Sequence, residues 1–184
     1  VNVPYSYDWL YSKNCYMVVC GWHCDNVLYS YGVNHSKDVI DCLGSYRSEF
    51  MYESVFCFDS YGLKYCNRCF DSRDCTLGFD LKGCSDCVMS VGLRNKQYHI
   101  LNQPYTKEEY HKKLKELGLH TRAGLLRAIR QFEDFKIKRP HKFAQILRCV
   151  SSTGEMLEDC KNAKNCFCAT ELENSRFVDI NDTG

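Results

Sequence analysis

The chain has 184 residues, of which 45% are hydrophobic and 26% charged, with only 3 prolines and a formal net charge of +1. That is the composition of a globular chain and excludes a disordered one. No run approaches the roughly 20 apolar residues of a membrane helix, so no membrane partner is expected.

The 14 Cys and 13 Tyr are the compositional outliers, and the cysteines are spaced. Cys15, Cys24 and Cys42 share an interval of nine with Val33 in the gap, and Cys57, Cys66, Cys75 and Cys84 carry it on to Leu93. At a Cys frequency of about 8%, three such hits after a starting Cys arise by chance roughly once in two thousand trials. Ser12-Lys13-Asn14, Asp71-Ser72-Arg73-Asp74 and Leu81-Lys82-Gly83 each place a polar or Gly cluster just before a Cys. β-prone residues follow, as in Tyr16-Met17-Val18-Val19 and Val88-Met89-Ser90-Val91. A nine-residue strand-and-turn half-unit cannot bury its apolar face alone, so copies must stack. The expected fold is therefore mainly β, a β-solenoid whose two half-units make a coil of about 18 residues and place Cys66 next to Cys84. Val39-Ile40-Asp41-Cys42 and Val55-Phe56-Cys57-Phe58 fit as inward-facing pieces. The interval of 15 between Cys42 and Cys57 reads as a bulge or longer corner around Arg47-Ser48-Glu49.

The period changes after Asn102. Thr106-Lys107-Glu108-Glu109 is a capping box, with Tyr110, Leu114 and Leu117 at helical spacing before Gly118, so a helix is expected over 106–117. A second helix is expected over 121–138, from Thr121 to the Arg139-Pro140 stop, with Leu125, Leu126, Ile129, Phe132 and Phe135 on one stripe. Asn162-Ala163-Lys164-Asn165-Cys166-Phe167 then repeats the dress of Tyr11-Ser12-Lys13-Asn14-Cys15-Tyr16. The expected organisation is a Cys-rich β-solenoid over 1–103, an inserted basic helical hairpin over 104–140 and a return to the same solenoid over 141–184.

Val91-Gly92-Leu93-Arg94-Asn95-Lys96-Gln97-Tyr98-His99-Ile100-Leu101-Asn102, followed by Pro104-Tyr105-Thr106-Lys107-Glu108-Glu109-Tyr110, resembles a block in uncharacterised Cys-rich repeat proteins predicted from environmental bacterial genomes. The resemblance extends loosely over the chain, including the Ser-Lys-Asn-Cys-Tyr repeats on both sides of the helices. It implies a bacterial repeat architecture and no activity. Members often carry Cys-rich zinc-ribbon-like segments ahead of this block; this chain has none, which fits a fragment or a shortened member.

A secreted disulfide framework belongs to short, loop-rich chains, so reduced thiols and a cytoplasmic location are expected. From Val1 no charged segment leads into an apolar stretch of about 7–15 residues, so no signal peptide is expected. Cys66-x-x-Cys69 and Cys84-x-x-Cys87 leave two readings open: a structural zinc site, or packing within the repeat as small hydrophobes. All four thiols converge only if a corner falls within each pair, since residues i and i+3 on a straight strand face opposite sides. Cys166-x-Cys168 would put both thiols on one strand face. Cys20-Gly21-Trp22-His23-Cys24 would offer a Cys/His nucleophile, but without an orienting third group or an oxyanion site. Arg94, Lys96 and His99 read as a charged corner. From Pro104 to Arg148, 12 Lys and Arg stand against 5 Asp and Glu, a net +7, while 12 against 18 leaves −6 for the rest. Lys112, Lys113, Arg127 and Arg130 are the candidate phosphate or partner contacts within 104–148. No paired carboxylates, phosphate loop or His-rich motif marks an enzyme. The expected role is a non-enzymatic repeat scaffold that binds a protein partner, without a required cofactor. The alternative is a zinc-stabilised module that binds nucleic acid through the basic helices.

Overall fold

The computed structural model describes residues 2–58 and 60–181, and the chain divides into two compact units, Val1–Arg139 and Pro140–Gly184. The fold is mainly β with parallel sheets and, among the described residues, two helices. No helix among them is long and apolar enough to cross a membrane.

In the first unit, β1 (Tyr7–Leu10), β2 (Val19–Trp22), β4 (Tyr31–Asn34), β6 (Leu43–Tyr46) and β8 (Val55–Phe58) form one sheet. A second contains β3 (Asp25–Leu28), β5 (Lys37–Ile40) and β7 (Glu49–Tyr52). Pairing is parallel, and the partners lie 12 residues apart: Val19 with Tyr31, Asp25 with Lys37, Leu43 with Val55. Single bridges such as Tyr61 to Arg73 and Asn67 to Phe79 keep that offset up to β9 (Thr76–Phe79), β10 (Ser85–Val91) and β11 (Gln97–Ile100). The short β12 (Gln103–Pro104) borders β11 antiparallel.

Every third residue from Ser12 to Ser90 is buried. Among the described residues, the one just before each of these has a positive φ, as at Asn14, Asp74 and Gly83. A straight strand alternates its side chains with period two. One left-handed residue in three turns the chain, so residues i and i+3 both point inward. Left-handed backbone costs an ordinary L-residue roughly 1–2 kcal/mol, and Gly, Asn and Asp adopt it most readily. At Asn14, Asp74 and Gly83 the polar or Gly cluster therefore supplies the turning residue, and the Cys after it is the inward one.

This corrects the nine-residue half-unit and the 18-residue coil. The observed repeat is 12 residues with a period of three, and nine is a multiple of three, so the cysteine interval reports the inward phase and not the length of the repeat. Successive ninefold cysteines are not stacked on one another: Cys66 lies beside Gly78, and the Cys84 amide donates to Ser72 Oγ at 3.3 Å. The interval of 15 is likewise a multiple of three and needs no bulge. Pairing of Asn34 with Tyr46 and Lys37 with Glu49 runs unbroken past Ser48, which is itself buried. Of the two pieces expected to face inward, only Val39, Cys42 and Cys57 are buried.

Small residues fill this narrow interior, and Ser and Cys also satisfy its backbone. Ser30 Oγ donates to Leu28 O at 2.8 Å and accepts from the Cys42 amide at 3.1 Å. Ser54 does the same for Tyr52 O and the Cys66 amide. Thiols donate in the same way, Cys15 Sγ to Lys13 O at 3.2 Å. Buried backbone groups left unpaired would each cost about 1–3 kcal/mol, so a purely aliphatic core would not serve here.

The helices are α1 (Lys107–Leu117) and α2 (Arg122–Ile137), within a residue of expectation. Thr106 and Glu109 form the capping box, Gly118 ends α1 in the left-handed conformation, and Thr121 caps α2. α1 buries Tyr110 and α2 buries Ala128 and Phe132 against Leu77, Val88, Met89, Val91 and Ile100, while buried Gly124 of α2 packs against Leu117 and Gly118. The expected stripe is corrected at Leu126, which points outward at 47% exposure, while Leu125, Ile129 and Phe135 are half-buried.

The second unit repeats the period of three on its own. Leu157, Cys160, Ala163, Cys166, Ala169 and Leu172 are its core. Strands β13 (Ile146–Leu147), β14 (Thr153–Glu158), β15 (Lys164–Thr170) and β16 (Asp179–Asn181) pair in parallel. The offset is 11 at Ile146 with Leu157 and 12 at Phe167 with Asp179, with a register shift between Thr153 and Gly154. Gly154 has φ +148, and a Cβ there would lie 1.8 Å from Cys166 O. Gly154→Ala should thus destabilise this unit by roughly 1–3 kcal/mol, read as a lower unfolding midpoint; an unchanged midpoint would contradict the shifted register. Cys166 is buried, but Cys168 is a left-handed residue of intermediate burial, which corrects the expectation that both thiols share a face.

Candidate interaction face and cysteine interior

Two outward columns of the first unit run the length of the repeat. One is Tyr7, Val19, Tyr31, Leu43, Val55, Asn67, Phe79 and Val91. The other is Tyr16, Leu28, Ile40, Tyr52, Lys64, Thr76, Val88 and Ile100. Between them run the turning residues Met17, Tyr29, Asp41, Glu53, Tyr65, Leu77 and Met89. At the upper end the helical hairpin covers this face, burying Leu77, Val88, Met89, Val91 and Ile100. At the lower end no element among the described residues of the first unit covers it. Tyr7, Met17, Tyr29, Tyr31 and Leu43 are exposed there, beside Asp41 and Glu53, also exposed. Regular repetition produces this face, because residues 12 apart stand side by side and like side chains extend one another. Neither aromatic nor aliphatic spacing at 12 was read from the sequence; serines at 30, 36, 48, 54, 60, 72 and 90, all multiples of six, carry the signal that would have revealed it.

On a neighbouring side, Tyr11, His23 and His35 stack at 4.9 and 4.7 Å between ring centroids. Asn14, Asn26 and Asp38 form a hydrogen-bonded ladder at 3.1 and 2.9 Å. His23 is thus an exposed stacking residue while Cys24 is buried, and burial pushes the Cys24 thiol up to about 11. The pair does not present an activated thiolate.

The expected zinc ligands fall into two groups. Cys66 and Cys69 touch each other and Cys57 touches Cys69; Cys84 and Cys87 touch each other and Cys75 touches Cys87. Both residues of each CxxC point inward because the period is three, which removes the directional obstacle, but the register separates the two pairs. Among the described residues no group of three or more His, Cys, Asp and Glu is placed to hold a metal ion. All 14 cysteines stand outside disulfides. Arg94 pairs with Asp80 at 2.8 Å, and buried His99 sets its Nδ1 2.7 Å from Gln97 O. Lys112, Lys113, Arg127 and Arg130 are exposed on the helices. Lys113 lies 5.1 Å from the Tyr105 ring.

Burial pushes the Cys42 thiol up to about 12. A raised thiol value favours the folded state below the ordinary value near 9, and this stability is lost as pH rises from 9 towards 12. Native protein at pH 8 should therefore leave Cys42 and Cys24 unalkylated by iodoacetamide while denatured protein reacts at both. Rapid labelling of Cys42 in folded protein would contradict its inward placement.

No protein-family model and no curated protein matches the chain. A solved structure of a presumed acetyltransferase from Desulfovibrio desulfuricans G20 aligns with 94% of this chain at 10% identity and a TM-score of 0.18. The chain spans 58% of that protein's length, and a likeness at this score carries no argument.

Proposed function

We propose that the first unit winds as a β-solenoid with 12 residues to a coil, and that the protein is a non-enzymatic scaffold whose apolar face binds a protein partner. The unbroken offset of 12, four inward positions in each repeat and the return of the same dress in the second unit support the winding. One observation carries the function: the hairpin occupies the upper part of a face whose columns pass Asn67 and Lys64 and then lie apolar and exposed along Tyr31, Leu43, Met17 and Tyr29. Contiguous exposed apolar surface on a repeat protein marks an interaction site. The chain's own cover is basic, with Lys136 5.8 Å from the Phe79 ring, and the open part holds Asp41 and Glu53. The occupant that fits is an amphipathic helix with a basic polar side.

The test is a titration of fluorescent amphipathic helical peptides, identical in apolar residues and either Lys-rich or Glu-rich on the polar side. The Lys-rich peptide should bind, the Glu-rich one should bind at least tenfold more weakly, and Tyr31→Glu with Leu43→Glu should abolish binding at unchanged stability. Equal binding by the variant overturns the reading. Submicromolar, salt-sensitive binding of nucleic acid also overturns it, if Ala at Lys112, Lys113, Arg127 and Arg130 lowers the salt slope by about 0.7–0.9 per lost contact and zinc copurifies.

A further inference from the structure

We propose that Cys57 and Cys69 form a modification site, a buried dithiol that hydrogen peroxide converts to a disulfide stapling one 12-residue stretch to the next. The bridges Val55 to Asn67 and Phe58 to Phe70 bracket this pair in parallel register. Parallel neighbours stand about 4.8 Å apart, inside the roughly 4.4–6.8 Å between Cα atoms that a disulfide requires. Both residues are fully buried and their thiols are hydrogen-bonded to one another. Cys66 also touches Cys69, but it lies three residues along the same stretch and not beside it in the register of 12. The two sulfurs are also unlike: the Cys69 thiol donates to Cys57 and holds the Cys57 thiol below its ordinary value, while burial pushes Cys69 well up.

In the first step the Cys57 thiolate attacks one peroxide oxygen, the O–O bond breaks, and the departing hydroxide takes the thiol proton to become water. Cys57 is then a sulfenic acid. In the second, Cys69 sulfur attacks Cys57 sulfur, and the hydroxyl leaves with the Cys69 proton as a second water. Two thiols are oxidised to one disulfide and one peroxide is reduced to two waters. Access comes from local opening, since between β8 and β9 the pairing rests on single bridges instead of continuous strands. Cys75, Cys84 and Cys87 repeat the arrangement 18 residues on.

The folded 184-residue chain is treated with hydrogen peroxide, its remaining thiols are alkylated in denaturant, and it is digested with trypsin without reduction. Cleavage after Lys64, Arg68 and Arg73 puts Cys57, Cys66 and Cys69 on three different peptides. The expected product joins the Cys57 and Cys69 peptides, persists in Cys66→Ser, disappears in Cys57→Ser and reverts with dithiothreitol. A product joining the Cys66 and Cys69 peptides instead, or no product once exposed Met17 is fully converted to sulfoxide, overturns the proposal.

Discussion

Val39→Asp should unfold the first unit, whereas Ile40→Asp, one residue on, should leave it folded. Val39 is fully buried between Val27 and Met51, its partners in the register of 12. A carboxylate there has no cation and no solvent, and stranding a charge in an apolar interior costs about 3–5 kcal/mol even after relaxation, a large share of a typical folding free energy of about 5–15 kcal/mol. Ile40 lies half-buried on the open face, where water reaches a carboxylate and the loss is on the order of 1 kcal/mol. Thermal unfolding followed by circular dichroism compares the two, and equal destabilisation would contradict the period of three.

Phe132→Ala should release the hairpin. Phe132 is buried with Val88, Met89, Val91 and Ile100, and truncating a buried Phe costs about 3–5 kcal/mol. Helical circular dichroism should fall and trypsin should cut early at Arg127 and Arg130, while Leu126→Ala on the outward side should behave as the parent chain. An equal effect of Leu126→Ala would mean that α2 presents its other side to the sheet.

The hairpin was legible in the sequence because its signals are local: the Thr106 to Glu109 box, the Gly118 stop and the Thr121 cap are each settled within a few residues. Inward Cys15, Cys75 and Cys84 were legible for the same reason, being announced by the turning residues Asn14, Asp74 and Gly83 before them. The register was not. It depends on which residues stand side by side 12 apart, and the cysteines mark only a three-residue phase that nine and 12 share. Reading the buried serines with the cysteines would have separated the two, since Ser30, Ser54 and Ser72 each serve an amide 12 residues later. The zinc reading rested on the spacing of the two CxxC pairs, and the register of 12 removes the placing of Cys66 beside Cys84 that went with it. The open face was hidden too, because Val19, Tyr31 and Leu43 are unremarkable singly and become a surface only when aligned.

Nuclear Overhauser contacts in the isotope-labelled 184-residue chain test the register most directly. The account predicts contacts between residues 12 apart in the first unit, among them Val19 with Tyr31, Leu43 with Val55 and Asn67 with Phe79. Contacts between residues 18 apart, with Cys66 against Cys84, would contradict it.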